Sequence, residues 1–177
     1  MNKSDAQDAS KILAGAIAVK IEDPDRSREV EHGVHRAVHD QLREMVPDSA
    51  IFAVLEDDEP KVVALSGTRL YVVTVDELPA ARGPVPTVLR MRNIDPLTAV
   101  VDCETKYSGH RDPDIDLQVT RETVWRFRVG DIDLKIETNI SRDSSWVEKG
   151  ERFAVALAKV IGMDVSAVDA QPLVAVR

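Results

Sequence analysis

The sequence predicts an α+β fold: two N-terminal helices, then a bent antiparallel sheet or partly open barrel of six or seven strands, capped by one C-terminal helix. Three observations predict it. Apolar residues recur at spacings of three and four from Val30 to Met45, the period becomes two from Ile51 to about Thr138, and a second helical stripe runs from Trp146 to Ile161. Strand follows strand with no helical segment between them, so neighbouring strands are expected to run antiparallel.

Residues 4–20 hold Ile12, Leu13, Ala16, Ile17 and Val19, which suits a short amphipathic or partly buried helix. The second helix is better marked. Asp23 is placed to cap it and Pro24 to occupy its first position. Asp25 and Glu29 complement its positive end, Val30, Val34, Val38, Leu42 and Met45 form its stripe, and Pro47-Asp48-Ser49 ends it. Short Val-rich runs at Ile51–Leu55, Lys61–Leu65 and Arg69–Val75 are separated by turn compositions, Asp57-Asp58-Glu59-Pro60 and Ser66-Gly67-Thr68, and read as a meander.

A Pro/Gly-rich loop from Leu78 to Pro86 leads to further strands at Thr87–Arg92, Leu97–Tyr107, Leu117–Val129 and Ile132–Thr138. Asp95-Pro96 and Gly109–Asp114 are the expected breaks. The sharpest local expectation is a hairpin turning at Gly130-Asp131: it pairs Val129 with Ile132 and Phe127 with Leu134 on one face, and sets Arg128 against Asp133 on the other. Ser145 and Glu148 make a capping box for the last helix, whose stripe is Trp146, Phe153, Leu157, Val160 and Ile161 and which runs to about Gly162. The chain thus divides into a helical extension (1–49), a strand-rich domain with its helix (50–163) and a tail (164–177) in which Pro172–Val176 is an edge-strand candidate.

Of the 177 residues, 44% are hydrophobic and 31% charged, a balance that supports a folded core. The net charge is −8 and no segment is strongly basic, which weighs against nucleic acid and anionic membranes as partners. The apolar run Ile12–Val19 is shorter than the roughly 20 residues a membrane-spanning helix needs and lacks the features of a signal peptide. Cys103 is the single cysteine and is expected to be a buried thiol, so the default location is cytoplasmic.

From Lys61 to Gly162 the chain resembles bacterial pleckstrin-homology-like and GRAM-like domains. The resemblance rests on Ala64-Leu65-Ser66-Gly67-Thr68-Arg69-Leu70-Tyr71-Val72-Val73, on Arg92-Asn93-Ile94-Asp95-Pro96-Leu97-Thr98-Ala99-Val100-Val101, on Trp125-Arg126-Phe127 with its hairpin, and on Glu151–Leu157. It implies a strongly bent, partly open barrel of seven strands with a C-terminal helix at one end, and binding of peptides, proteins or phosphoinositides rather than catalysis. A phosphoinositide site would need Lys and Arg in the first inter-strand loop, where this chain has Glu56-Asp57-Asp58-Glu59. The helical residues 1–49 depart from the pattern.

Two groupings carry candidate chemistry. His32, His35 and His39 share one helical face, a spacing at which histidines can ligate zinc. That face lies opposite Val30, Val34 and Val38, and with no fourth ligand in view it reads as a face turned to solvent or to a partner. Arg90 and Arg92 on one strand, with Arg126 and Arg128 on another, would gather four guanidiniums for an anion or an acidic peptide if those strands were neighbours. Otherwise Asp102, Glu104, Asp133 and Glu137 are on hand to pair with them. The carboxylate runs lack the order of a calcium loop, and no nucleophile elbow or phosphate loop is present. The expectation is therefore a non-enzymatic module without a cofactor that binds a partner protein or a second copy of itself. The alternative is a carrier of small molecules or lipids, with an apolar cavity lined by Trp125, Phe127 and Trp146.

Overall fold

A computed structural model describes residues 1–56, 58–75, 87–110, 118–139 and 145–165. Helices α1 (Lys3–Ala18) and α2 (Pro24–Met45) precede strands β1 (Ile51–Leu55), β2 (Lys61–Ser66), β3 (Arg69–Val75), β4 (Thr87–Asn93), β5 (Val100–His110), β6 (Gln118–Val129) and β7 (Ile132–Asn139), and helix α3 (Ser145–Ile161) follows. The architecture is α+β, as the periodicity predicts.

The strands do not form one sheet. They divide into a four-stranded antiparallel sheet, β1-β2-β3-β4, and a three-stranded one, β5-β6-β7, and are not closed into a barrel. The division has a local cause between β4 and β5. The Asp95 carboxylate accepts the Leu97 N–H at 3.0 Å, and the Thr98 and Ala99 N–H groups turn back to the Asp95 carbonyl. Pro96 brings no N–H at all. Leu97, expected to open the next strand, therefore sits in this turn and is 95% exposed, and β5 begins at Val100.

Two cores use opposite faces of the four-stranded sheet. Val63 and Leu65 of β2 and Leu70 and Val72 of β3 join Ala53 and Leu55, the inner face of the second sheet (Trp125, Phe127, Val129, Ile132, Leu134, Ile136) and α3 (Phe153, Ala154, Leu157, Ala158). Their sequence neighbours Val62, Ala64, Tyr71 and Val73 join Phe52 and the two N-terminal helices on the other face. β2 and β3 thus carry unbroken buried stretches where a sheet with one solvated face would alternate.

The helices meet this face as an antiparallel pair. α2 buries Val34, Val38 and Leu42, while Met45 at its end is half exposed, outside the stripe that the spacing assigned to it. The Asp23 carboxylate accepts from the Asp25 and Arg26 N–H groups, with Pro24 in the first turn, as the capping signature predicts. α1 packs mainly through small residues, Ala6, Ala9, Ala14 and Ala18, with Leu13 and Ile17, and leaves Val19 exposed. α3 lies against β1 and β7, bridging the two sheets along one side. It stops in a Schellman arrangement: Gly162 takes φ +93°, its N–H bonds to the Lys159 carbonyl, and the Met163 N–H reaches the Ala158 carbonyl. The Trp146 side chain, the Pro/Gly-rich 78–86 loop and the edge candidate at Pro172–Val176 lie outside the described residues.

The register of β6 and β7 matches the hairpin expected, Val129 with Ile132, Arg128 with Asp133 and Phe127 with Leu134, turning at Gly130 with φ +64°. A Cβ at Gly130 would also stand 3.4 Å from Arg92 Nε.

Because adjacent residues of β2 face different cores, Val62→Ala and Val63→Ala should each cost about 2 kcal/mol, the loss of two buried methyl groups plus the cavity left behind. Urea unfolding of the two variants checks this. A neutral result at either position would mean that one face of the sheet is not covered in solution.

Candidate functional site

The four arginines do not gather. β4 hydrogen-bonds to β3, and β6 lies between β5 and β7, so the neighbouring strands that would collect them are absent. Arg126 and Arg128 point outward from the second sheet and each meets a carboxylate. Arg126 lies 3.2 Å from Asp102 and 3.8 Å from Glu104, and Arg128 donates to Asp133 at 2.8 Å, which holds its guanidinium above the ordinary arginine range. Lys135 pairs with Glu137 on the same face. This surface is a ladder of alternating charge that satisfies itself.

β4 is different. It ends its sheet, and among the described residues no strand pairs with its outer edge. Arg90 and Arg92 stand opposite Val72 and Leu70 in the register, on the side of the sheet that faces the second sheet; Met91, opposite Tyr71, is on the helix side. Arg92 reaches across to Asp131 in the β6–β7 turn. Arg90 is exposed and makes no ion pair among the described residues, and Met91 is 53% exposed beside it. Two further exposed apolar residues, Leu97 and Val100, follow along the connection into β5. An edge with no strand beside it, a cation with no ion pair among the described residues and apolar side chains is equipped to accept an added strand.

A second feature lies at the opposite edge of the same sheet. A pocket of about 230 Å³ is lined by Asp5 of α1, Ser49 and Ala50 before β1, Ile51 and Phe52 of β1, and Lys149 and Arg152 of α3. The Lys149 ammonium sits 4.8 Å above the centre of the Phe52 ring, a cation–π contact that holds it at the pocket wall. Sequence reasoning did not find this site. Its members converge from three distant segments, and the only local signal is the spacing of Lys149 and Arg152, which places both on one side of α3.

The histidine face is only partly open. His32 is exposed, but His35 is half-buried, its Nε2 shielded from solvent, and its ring stacks on that of His39 at 6.3 Å between centroids. The expectation of a solvent-turned face fails at His35 because α1 packs beside α2, so α2 buries one flank in addition to its apolar stripe. Among the described residues no group of three His, Cys, Asp or Glu is arranged to hold a metal ion. Cys103 is half-buried, and burial raises its thiol pKa, which disfavours the reactive thiolate.

Trp125 and Phe127 are fully buried and stack nearly parallel at 5.8 Å. The indole Nε1 of Trp125 has no partner among the described residues. No helix among the described residues is long and apolar enough to cross a membrane.

Burial holds the His35 pKa below its ordinary value, and the fields of His39, Lys11 and His32 lower it further; a contact with the Gln7 backbone opposes them in part. The folded state therefore favours the neutral ring. Its contribution to stability is complete above the ordinary histidine value near 6.5 and is lost as pH falls towards the lowered folded value. Thermal unfolding between pH 7.5 and 5 should show this loss, and His35→Gln should flatten it. An unchanged pH profile in that variant would place the titration elsewhere.

No protein-family model, no curated protein and no solved structure matches this chain.

Proposed function

We propose that the chain is a non-enzymatic binding module that accepts an extended, acidic segment of a partner protein along the open edge of β4. The observation that carries this reading is the end position of β4 among the described strands of its sheet, with Arg90, exposed and without an ion pair among the described residues, and half-exposed Met91 along it. Backbone hydrogen bonds to an added strand would supply affinity, and the alternating Arg90, Met91 and Arg92 would select its side chains. The resemblance to pleckstrin-homology-like and GRAM-like domains supports binding over catalysis in the same direction.

Charge favours a partner over a second copy. Two β4 edges laid side by side would bring Arg90 and Arg92 of both chains together, a repulsion that disfavours self-pairing there and favours an acidic segment. The net charge of −8 opposes an acidic partner at long range, but beyond roughly 10 Å that field is largely screened at physiological salt, so the local guanidiniums decide. The carrier reading has less support, since Trp125 and Phe127 are buried, stack on each other and belong to the same core as α3.

A photo-crosslinking residue at position 91, used in native lysate with the same residue at Lys135 on the self-paired face as control, tests the proposal. Position 91 should capture a discrete protein, position 135 should not, and Arg90→Glu should reduce the yield at least tenfold. Equal labelling from both positions, or adducts joining two copies through position 91, would overturn it.

A further inference from the structure

We propose that the pocket between α1, β1 and α3 binds a small zwitterion of the free α-amino-acid class, its carboxylate towards Lys149 and Arg152 and its ammonium towards Asp5. The charges on the pocket walls carry the argument. Arg152 is exposed into the pocket and makes no ion pair among the described residues. The Asp5 carboxylate, on the α1 wall, likewise makes none; its own backbone N–H is taken by Asn2, and the Met1 ammonium touches it only through its field. Arg152 and Asp5, of opposite charge, thus line one cavity with no ion pair between them among the described residues. A ligand with both charges satisfies both walls, whereas a simple anion would answer Lys149 and Arg152 and leave Asp5 opposed.

Size narrows the class. Taking roughly 30 Å³ for each water-sized group, 230 Å³ holds about eight non-hydrogen atoms, which suits the smaller amino acids and is below the range of pockets that take drug-sized ligands. Phe52 and Ile51 offer apolar surface for a short side chain, and the Ser49 hydroxyl a further hydrogen bond. Lys149 is already held over the Phe52 ring, so less side-chain freedom is lost when the carboxylate arrives. The lining comes from residue 5, residues 49–52 and residues 149–152. Occupancy would therefore tie the N-terminal helix pair to the C-terminal helix, and a ligand selective for the folded chain raises its melting temperature.

The test is a titration of the full chain, followed by amide NMR shifts, with L-serine, propionate, ethylamine and inorganic phosphate as separate probes. L-Serine should shift the amides of Ser49–Phe52 and Lys149–Arg152 saturably, with a Kd of roughly 0.1–1 mM. Propionate, ethylamine and phosphate should each bind at least tenfold more weakly, and Arg152→Gln and Asp5→Asn should each weaken L-serine by a similar factor. Because both side chains reach solvent and both replacements are near-isosteric, unfolding is not the anticipated outcome; unchanged melting temperatures without ligand check this. If a variant does not fold, the wild-type comparison of probes decides alone. Absence of saturation by 20 mM for L-alanine, L-serine, L-threonine and L-aspartate alike, propionate or phosphate binding as tightly as L-serine, or full binding in both variants would each overturn the proposal. None of these results bears on the β4 edge, which is remote from the pocket across the sheet.

Discussion

Burial of β2 and β3 on both faces is the constraint from which the rest of the structure follows. A strand reading Val62-Val63-Ala64-Leu65 cannot lie in a sheet with a wet side, since each large apolar side chain left in water forfeits about 1.5–3 kcal/mol. The four-stranded sheet therefore requires two covers. The second sheet with α3 supplies one and the α1–α2 pair the other. Residues 1–49 are accordingly a structural layer of the fold. The helical residues, a departure from the pattern of the resemblance, are accounted for by Phe52, Val62, Ala64, Tyr71 and Val73, which would otherwise face solvent.

Once both faces are committed, the proposed binding is left to the edges and to the seams between layers. The two edges of the four-stranded sheet are treated differently. β1 is flanked by α3, and the pocket opens where α1 also approaches. β4 has no such cover among the described residues, and the turn at Asp95 that keeps it from pairing with β5 also leaves Leu97 and Val100 in water. The break that divides the strands into two sheets therefore creates the open edge as well.

Local chemistry was legible in the sequence and the meeting of distant segments was not. The Asp23 cap, Pro24, the turn at Gly130-Asp131 and the stop at Gly162 each follow from two or three neighbouring residues, and each stands where those residues put it. The split between sheets was not legible, because Leu97 and Thr98 have acceptable strand composition and only the hydrogen bonds of Asp95 withhold them. The packing face of α1 was under-read for a related reason: Ala6, Ala9 and Ala14 carry little hydrophobic signal, yet their small size lets α1 lie close to its neighbours. The same close approach covers His35, which the wheel of α2 alone turned outwards.

An unpaired arginine means little without its setting. Arg26, Arg28, Arg36 and Arg43 on α2 are exposed and make no ion pair among the described residues, and solvation on a helix surface explains them fully. Arg126 and Arg128 illustrate the opposite case, in which opposing carboxylates on neighbouring strands neutralise a whole sheet face. Arg90 and Arg152 belong to neither group. One lies on a strand that ends its sheet among the described residues, the other in the wall of a cavity that also holds Asp5, which makes no ion pair among the described residues. In both places neighbouring groups would fix the direction from which a ligand approaches, and directional constraint, more than charge alone, distinguishes a binding position from a solvated surface.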